Sequence, residues 1–372
     1  MGKLRYKHLL QNLLNRADVW IDGDRPWDPH VHNPDFYRRI LTGGSLAVGE
    51  SYMDGWWDCD QLGEFFSRVL RVHMDAQFQK MANKLSRLKG RFLNLQRPSR
   101  AFQVGQRHYD LGNKLYRAML DKRMIYSCGY WRDAADLDQA QEAKLDLVCR
   151  KLGLEPGMRI LDIGCGWGGA ARFAAERYGV EVVGLTISQE QAELARENCQ
   201  GLPIEIRLQD YRELDEHFDR IFSIGMFEHV GHRNYRRYME MVRRCLNDGG
   251  LFLLHTIAGN ESLYHTDPWI ERYIFPNSML PSARQISQAF EGLFVLEDWH
   301  SFGPDYDHTL MQWYANFEDA WDELSRDYDE RFHRMWRYYL LVSAGSFRAR
   351  VNQVWQLLLS PGGIPGGVPT SR

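Results

Sequence analysis

The chain has 372 residues, of which 44% are hydrophobic and 13% aromatic, and its 46 Lys and Arg residues nearly balance its 49 Asp and Glu residues. This composition excludes a disordered or collagen-like chain, and the length corresponds to about two domains of roughly 150 residues each. The net charge of −3 excludes a chain that is basic throughout, although a total of this kind can hide a local basic segment.

The N-terminal segment, MGKLRYKHLLQNLLNR, lacks the continuous apolar core of a signal peptide. Its spacing predicts an amphipathic helix with four inward leucines: Leu9, Leu10, Leu13 and Leu14. Turn-forming pairs, among them Gly43-Gly44, then separate short helices that we expect near 34–42, 45–53 and 60–74. No stretch reaches the ~18 apolar residues of a membrane-spanning helix, so we expect a soluble or peripheral protein.

A basic segment follows, because Gln77 to Tyr109 contains eight Lys and Arg residues and no Asp or Glu. The rest of the chain then sums to −11, since −3 minus 8 is −11. Such asymmetry is typical of a protein with an anionic partner. Apolar residues recur here at steps of three and four, which predicts an amphipathic basic helix that lies on anionic lipid. Its predicted lipid-facing cations are Lys80, Lys84, Arg87, Lys89 and Arg91. A core helix with solvated lysines is the alternative.

From about residue 153, apolar β-branched runs alternate with helical patterns. The runs predict strands at Met158–Gly164, Val180–Ile187, Ile204–Asp210, Phe218–Gly225 and Gly250–Ile257. Helices are expected between them near 168–178, 188–199 and 233–246. This alternation predicts an α/β fold with a mostly parallel sheet and helices on both faces. Its ligand site should lie at the carboxyl ends of the strands.

The C-terminal third begins with an aromatic-rich insertion at 264–280. Two further strands are expected at Phe294–Phe302 and Thr309–Tyr314, followed by helix to about residue 359. The resulting domain boundaries are a helix-rich N-terminal domain at 1–96, a basic linker at 97–107, a catalytic domain at 108–359 and a flexible tail at 360–372. The six cysteines are scattered without a Cys-x-x-Cys pair, which predicts no metal site and fits a reducing cytoplasm.

The glycine-rich run LDIGCGWGG (161–169) lies between a predicted strand and a predicted helix. Gly164 and Gly166 let the backbone turn off the strand and approach a ligand closely. The run lacks the Gly-Lys-Ser/Thr ending of an ATP- or GTP-binding loop, which leaves NAD(P), FAD or S-adenosylmethionine. The second strand ends without the acidic residue that favours NAD. The pattern resembles the motif of S-adenosylmethionine-dependent methyltransferases with a seven-stranded, mostly parallel sheet.

Several motifs, in the right order along nearly the whole chain, resemble the cyclopropane fatty acid synthase family. They are GSLAVGESYMDGWW (44–57), HYDLGN (108–113), YSCGYW (126–131), LDIGCGWGG (161–169), VVGLTISQEQ (182–191), GMFEHVG (225–231), LLHTI (253–257) and DYDHTLMQWY (305–314). The resemblance implies transfer of a methylene from S-adenosylmethionine across a cis double bond of a phospholipid acyl chain, forming a cyclopropane ring. It also implies a homodimer, peripherally associated with the inner, cytoplasmic face of the membrane, whereas no motif points to nucleic acid.

The resemblance assigns site residues by position. It implies that nine residues hold S-adenosylmethionine: Tyr126, Ser127, Gly164, Gly166, Thr186, Gln191, Gln209, Asp210 and Tyr211. It implies a bicarbonate ion, which serves as the base, at Cys128, Glu228, His255, Ile257 and Tyr306.

The reaction itself requires groups of this kind. An alkene is a weak nucleophile, so the enzyme must align it with the sulfonium methyl. Attack leaves a carbocation, which needs a dry site and is stabilised by aromatic faces. A base is required only afterwards, to remove one proton and close the ring. The residues alone suggest Glu228 as that base, whereas the resemblance makes it a bicarbonate ligand.

Two other functions stay open from the sequence. One is methylation of a soluble amine or hydroxyl compound, which would need neither a bicarbonate site nor a basic lipid-facing helix. The other is a cofactor-binding regulator without catalysis, whose expected signature would be the loss of Glu228, His255 or Tyr306. All three residues are present.

Overall fold

The computed structural model describes residues 2–72 and 112–368. These residues form two compact units. The helical unit combines the N-terminal residues 2–72 with Tyr264–Pro276 and Tyr306–Asn352. The sheet unit contains the described residues from 112 to Leu263, with Asn277–Asp305 and 353–368. The first and last segments of a unit are therefore far apart in the sequence.

The helices are numbered in chain order. They are α1 (Gly2–Leu14), α2 (Phe36–Met53), α3 (Leu62–Arg71), α4 (Asn113–Met119), α5 (Leu137–Lys151), α6 (Gly169–Tyr178), α7 (Gln189–Asn198), α8 (Tyr235–Cys245), α9 (Pro268–Tyr273), α10 (Ala283–Phe290), α11 (Pro304–Asp319), α12 (Trp321–Leu324) and α13 (Glu330–Arg348). The strands are β1 (His30–Val31), β2 (Trp57–Asp58), β3 (Arg159–Ile163), β4 (Glu181–Thr186), β5 (Ile204–Leu208), β6 (Phe218–Ile224), β7 (Leu246–Gly259), β8 (Val295–Ser301) and β9 (Asn352–Ser360).

The N-terminal helices largely match the expected pattern. The predicted break at Gly43-Gly44 is confirmed, because α2 is interrupted at Gly44, whose φ of 61° and ψ of −148° only glycine adopts readily. Helix α1 forms, but the prediction that all four of its leucines point inward is wrong. Leu10 and Leu14 are buried, whereas Leu9 is 47% exposed. The reason is that α1 packs against α2 through only a narrow stripe of its surface.

The core of the helical unit is built around α13. A Cβ on Gly345 would lie 2.6 Å from the carbonyl oxygen of Gly63, so glycine permits α13 and α3 to touch through their backbones. Beside this contact the Tyr338 ring packs against Phe66 at 5.2 Å and against Trp269 at 4.5 Å between centroids. Trp269 belongs to the aromatic insertion, which no local sequence pattern links to the N-terminal helices.

The sheet unit contains one seven-stranded sheet in the order β5-β4-β3-β6-β7-β9-β8. Strands β3 to β7 pair in parallel where they are neighbours, and β8 pairs antiparallel with β9. The five strands predicted between 158 and 257 are confirmed, as are the three helices between them. The predicted fold class is therefore correct, and the carboxyl ends of β3, β4, β5 and β6 meet at one edge of the sheet.

Two predictions after residue 302 are wrong. Thr309–Tyr314 lies in α11, where Tyr306, Leu310, Trp313 and Phe317 are buried at helical spacing. The chain does not stay helical to 359, because β9 takes residues 352–360. Strand β9 lies inside the sheet and buries both of its faces, so its apolar run shows no alternation that would separate it from a helix.

The predicted domain boundaries stay predictions. The basic helix with its lipid-facing cations, the linker at 97–107 and the last four residues lie outside the described residues. Within the tail that we predicted to be flexible, Ile364 and Val368 pack against the core of the sheet unit. In the parts of the chain described here, no helix is both long and apolar enough to cross a membrane.

Candidate active site

The glycine-rich run forms the turn between β3 and α6. Gly164 and Gly166 have φ values of 88° and 53°, which are strained for any residue with a side chain. A Cβ on Gly164 would also lie 2.8 Å from the Cβ of Met226. The backbone therefore follows a path that keeps this edge of the sheet open for a ligand.

A cavity opens at this edge, and all nine residues predicted to hold S-adenosylmethionine line it. Tyr126 and Ser127 come from the loop before α5, and the other seven lie at or after the ends of β3, β4 and β5. The same wall contains Lys144, Asp162 and His229, which the sequence motifs did not assign to a ligand. The topology thus gathers residues from Met124 to Val230, which are distant in the sequence, around one space.

The end of β4 offers neutral polar groups where a dinucleotide site would carry an acid. The Thr186 hydroxyl donates to Oε1 of Gln191 at 3.0 Å and accepts from the backbone N–H of Ser188 at 3.2 Å. Ser188 in turn caps α7 by accepting from the backbone N–H of Gln191 at 3.3 Å. These bonds hold the Gln191 amide oxygen in place and do not use its NH₂ group.

The end of β5 carries a fixed carboxylate. Asp210 is 6% exposed, and its Oδ1 accepts from the backbone N–H of Arg212 at 3.0 Å and from Nε of Arg212 at 2.8 Å. The Arg212 guanidinium also contacts Oδ2 of Asp210. A paired guanidinium and a backbone donor hold this carboxylate in a single orientation.

Lys144 and Asp162 are buried titratable groups that sequence reasoning missed. Lys144 is 0% exposed, and its Nζ donates to the Ser127 hydroxyl at 2.9 Å. Burial lowers the pKa of Lys144 to about 8. Burial also raises the pKa of Asp162 to about 8, against the attraction of Lys144. Oδ2 of Asp162 is buried and accepts no hydrogen bond from the described residues.

A signal for Lys144 was present in the sequence. One face of α5 carries three polar residues and one apolar residue at steps of three and four: Gln141, Lys144, Val148 and Lys151. All four are buried. Polar residues on the inward stripe of a helix are typical of a site, because their burial without partners would be costly.

Glu228 lies in a single helical turn directly after β6. Its Oε1 accepts from the backbone N–H of Ile257 at 2.6 Å, and its main-chain carbonyl accepts from the N–H of Met279 at 2.8 Å. Its Oε2 is buried with no hydrogen-bond partner in the part of the chain that is described. Burial raises the pKa of Glu228 to about 7. The carboxyl is therefore able to change its protonation state near neutral pH.

His255 lies on β7, directly opposite Ile224 of β6 in the parallel ladder. The ring is 1% exposed and packs edge-on against Phe302, with 5.6 Å between centroids. Burial, together with the positive charges of Lys144 and Lys151 and the His300 ring, lowers the pKa of His255 well below its ordinary value. The imidazole is therefore neutral at physiological pH.

The structure joins some of the predicted bicarbonate residues. Glu228 and Ile257 are in direct hydrogen-bond contact. Cys128 is fully buried, and its Sγ donates to the carbonyl oxygen of Gly129 at 3.1 Å. Tyr306 belongs to the helical unit, where its ring packs against Phe347 at 4.6 Å and Trp313 at 5.8 Å. Its assignment to the ion stays a prediction.

Comparison with known proteins identifies the family. The family model described as mycolic acid cyclopropane synthetase matches residues 96–357. The cyclopropane-fatty-acyl-phospholipid synthase of Escherichia coli (strain K12) is 54% identical over 365 residues, which cover 98% of this chain and 95% of that protein. The chain belongs to the cyclopropane synthase family. It is therefore an enzyme of the S-adenosylmethionine-dependent methyltransferase class, as its motifs predicted.

Solved structures of the family agree with the fold. A cyclopropane synthase from Mycobacterium tuberculosis superimposes with a TM-score of 0.66 at 33% identity, covering 69% of this chain and 97% of that one. A mycolic acid cyclopropane synthase in complex with SAH (S-adenosylhomocysteine) and CTAB gives a TM-score of 0.64 at 35% identity, with the same coverage of both chains. The predicted methyltransferase fold is thus confirmed.

Proposed function

We propose that this enzyme transfers a methylene group from S-adenosylmethionine across a cis double bond in an acyl chain of a membrane phospholipid, producing a cyclopropane ring. One observation carries the proposal. The cavity at the strand ends is lined by all nine residues assigned to the cofactor, and the ends of β6 and β7 supply a titratable Glu228 and a neutral His255. The name of the Escherichia coli relative supports a phospholipid acyl chain as the substrate.

The cavity fits S-adenosylmethionine in its donor and acceptor groups. The turn at Gly164 and Gly166 would bring its backbone into contact with the ligand. The buried Oδ2 of Asp162, which has no partner among the described residues, supplies an acceptor. Gln191 and Asp210 would hold the nucleoside end through neutral and charged polar groups. When bound, S-adenosylmethionine supplies an electrophilic methyl group whose attack by the double bond leaves a carbocation, and loss of one proton from that methyl closes the ring.

The neighbouring residues fit an anion such as bicarbonate, which supplies a base when bound. With a pKa of about 7, the carboxyl of Glu228 is protonated in part of the molecules near neutral pH and then has a proton to donate. Neutral His255 carries one N–H donor. Lys144, fully buried, provides a positive charge that an anion in a dry site needs. These three groups would hold the ion and keep the site free of excess charge.

Exclusion of water is the other task of the protein, since water would capture a carbocation. Seven aromatic residues were expected to serve here: Trp167, Phe227, Trp269, Tyr273, Phe275, Tyr306 and Trp313. Trp167 lines the cavity and is held by a hydrogen bond from its Nε1 to the side-chain oxygen of Asn113 at 2.9 Å. Phe227 packs beside Glu228 in the core of the sheet unit. The other five belong to the helical unit, and their contribution is part of the proposal.

The proposal also includes the place of action. The enzyme would work as a homodimer at the inner face of the membrane, with the basic segment of residues 77–109 on anionic lipid. The charge of that segment supports this assignment, because each basic residue near an anionic surface adds about 1 kcal/mol of binding free energy.

The decisive experiment incubates the purified protein with S-adenosylmethionine and vesicles of a cis-unsaturated phospholipid. Mass spectrometry should show a gain of one CH₂ group per modified acyl chain and no gain with fully saturated phospholipid. A methylated soluble amine with unchanged lipid would refute the proposal and favour the alternative methyltransferase activity.

A further inference from the structure

Gln356 is a buried polar residue beside His255 to which neither the sequence nor the proposed mechanism assigns a role. It lies on β9, the strand next to β7 in the sheet, and is 0% exposed. Its Nε2 lies 3.3 Å from Nδ1 of His255. Its Oε1 has no hydrogen-bond partner among residues 2–72 and 112–368. The amide of Gln356 is thus paired with the imidazole alone through its nitrogen.

The orientation of this amide follows from what each alternative leaves unpaired. With Nε2 toward the ring, one amide hydrogen pairs with Nδ1, whereas the second hydrogen and the acceptor oxygen have no partner among the described residues. Turned over, it would place Oε1 toward the ring and leave an NH₂ group with two buried donor hydrogens at the same position. Leaving buried donors unsatisfied carries the full desolvation cost of the group. The arrangement with Nε2 donating to Nδ1 is therefore favoured.

The surroundings keep His255 neutral, so the tautomer decides which ring nitrogen donates a hydrogen bond and which accepts one. Lys144 and Lys151 come from α5, and His300 lies on β8 directly opposite Gln356. Lys151 Nζ lies 3.2 Å from Nδ1 of His300 and 2.9 Å from Oδ2 of Asp298. Burial is the largest cause that disfavours a second proton on the His255 ring. The neighbouring cations add to this effect, although Asp298 offsets part of the charge of Lys151.

We propose that Gln356 is a positioning residue that holds His255 as its Nε2–H tautomer. Because Nδ1 accepts from the amide, the single proton of the ring sits on Nε2. The imidazole then presents a hydrogen-bond donor on the side away from Gln356, suited to an anion and unsuited to act as a base itself. The tautomer assignment rests on the geometry alone, while its catalytic consequence rests on the proposed function.

The test is nitrogen NMR on the full-length protein with ¹⁵N-labelled histidine rings, and the His255 signals are assigned by their loss in His255→Gln. We expect a protonated Nε2 and an unprotonated Nδ1 in the wild type. In Gln356→Glu a carboxylate accepts from Nδ1–H, so the proton should move to Nδ1. A wild-type proton on Nδ1, or an unchanged tautomer in Gln356→Glu, would overturn the proposal.

Turnover provides the second readout. Gln356→Glu should lower kcat in the vesicle assay by a factor of about 10 to 100, the range found for residues that orient metal-bound histidines, with little change in KM for S-adenosylmethionine. Gln353→Glu is the matched control, since it changes another buried glutamine of β9. It should leave the His255 tautomer unchanged. If the NMR result holds but lipid is not cyclopropanated, the proposed function fails and the tautomer assignment stands.

Discussion

Replacing Glu228 by glutamine should make the protein more stable at alkaline pH while it removes activity. The ordinary pKa of this glutamate is 4.5, and burial raises it to about 7 in the folded protein. Each pKa unit corresponds to about 1.4 kcal/mol. Ionised Glu228 therefore destabilises the fold by about 3 kcal/mol at pH 8.

The direction follows from proton binding. Between pH 4.5 and about 7 the folded state holds more protons on Glu228 than the unfolded state does, so stability falls as the pH rises through this window and stays lower above it. Glutamine does not titrate and keeps the acceptor for the N–H of Ile257. Its unpaired NH₂ group costs about 1 kcal/mol. The variant should thus be about 2 kcal/mol more stable at pH 8 and about equal to wild type at pH 5.

Urea unfolding at pH 5 and pH 8 measures this difference. Glu181→Gln is the matched control, because Glu181 lies exposed on β4 and the solvent screens its charge. If the stability difference between Glu228→Gln and wild type is the same at both pH values, the reasoning from burial is wrong. In the vesicle assay the variant should lose activity by about 10²-fold, and removing bicarbonate should slow the wild type but not the variant. An unchanged rate would show that the base lies elsewhere.

Four further outcomes test the site and the fold. Gly164→Ala should weaken binding of S-adenosylhomocysteine at least about 10-fold in calorimetry, because its Cβ would lie 2.8 Å from Met226 at a φ of 88°; unchanged affinity would remove the glycine turn from the site. Lys144→Met should also weaken that binding, since the Ser127 hydroxyl loses its donor, and a wild-type affinity would remove the lysine from the cofactor site. Gly345→Ala should destabilise the protein by about 1–3 kcal/mol in urea, because α13 must move away from α3; equal stability would contradict that close contact. Charge reversal at Lys84, Arg87 and Arg91 should weaken binding to anionic vesicles in sedimentation, most clearly at low salt. Equal binding by the variant would favour the alternative, a core helix with solvated lysines.

The sequence by itself determined the parts of the fold whose signals are local. Strands β3 to β7 and the helices between them follow from periodicity, and the turn at Gly164 follows from glycine at a strand end. The neutral end of β4 at Thr186 was also readable, and the lack of an acidic residue there argued against a dinucleotide. Each of these features depends on residues that are close neighbours in the chain.

The tertiary structure decided the features that depend on distant neighbours. Strand β9 reads as helix until the sheet buries both of its faces, and α11 reads as strand until its aromatic stripe meets the core of the helical unit. The sequence places Lys144 on the inward face of a helix without showing what it pairs with, and it shows Gln356 as an ordinary glutamine. Their meaning comes from burial beside Ser127 and His255, 17 and 101 residues away in the chain. Burial removes water as a partner, so the protonation state and hydrogen bonds of a polar side chain are set by whichever groups the fold places next to it.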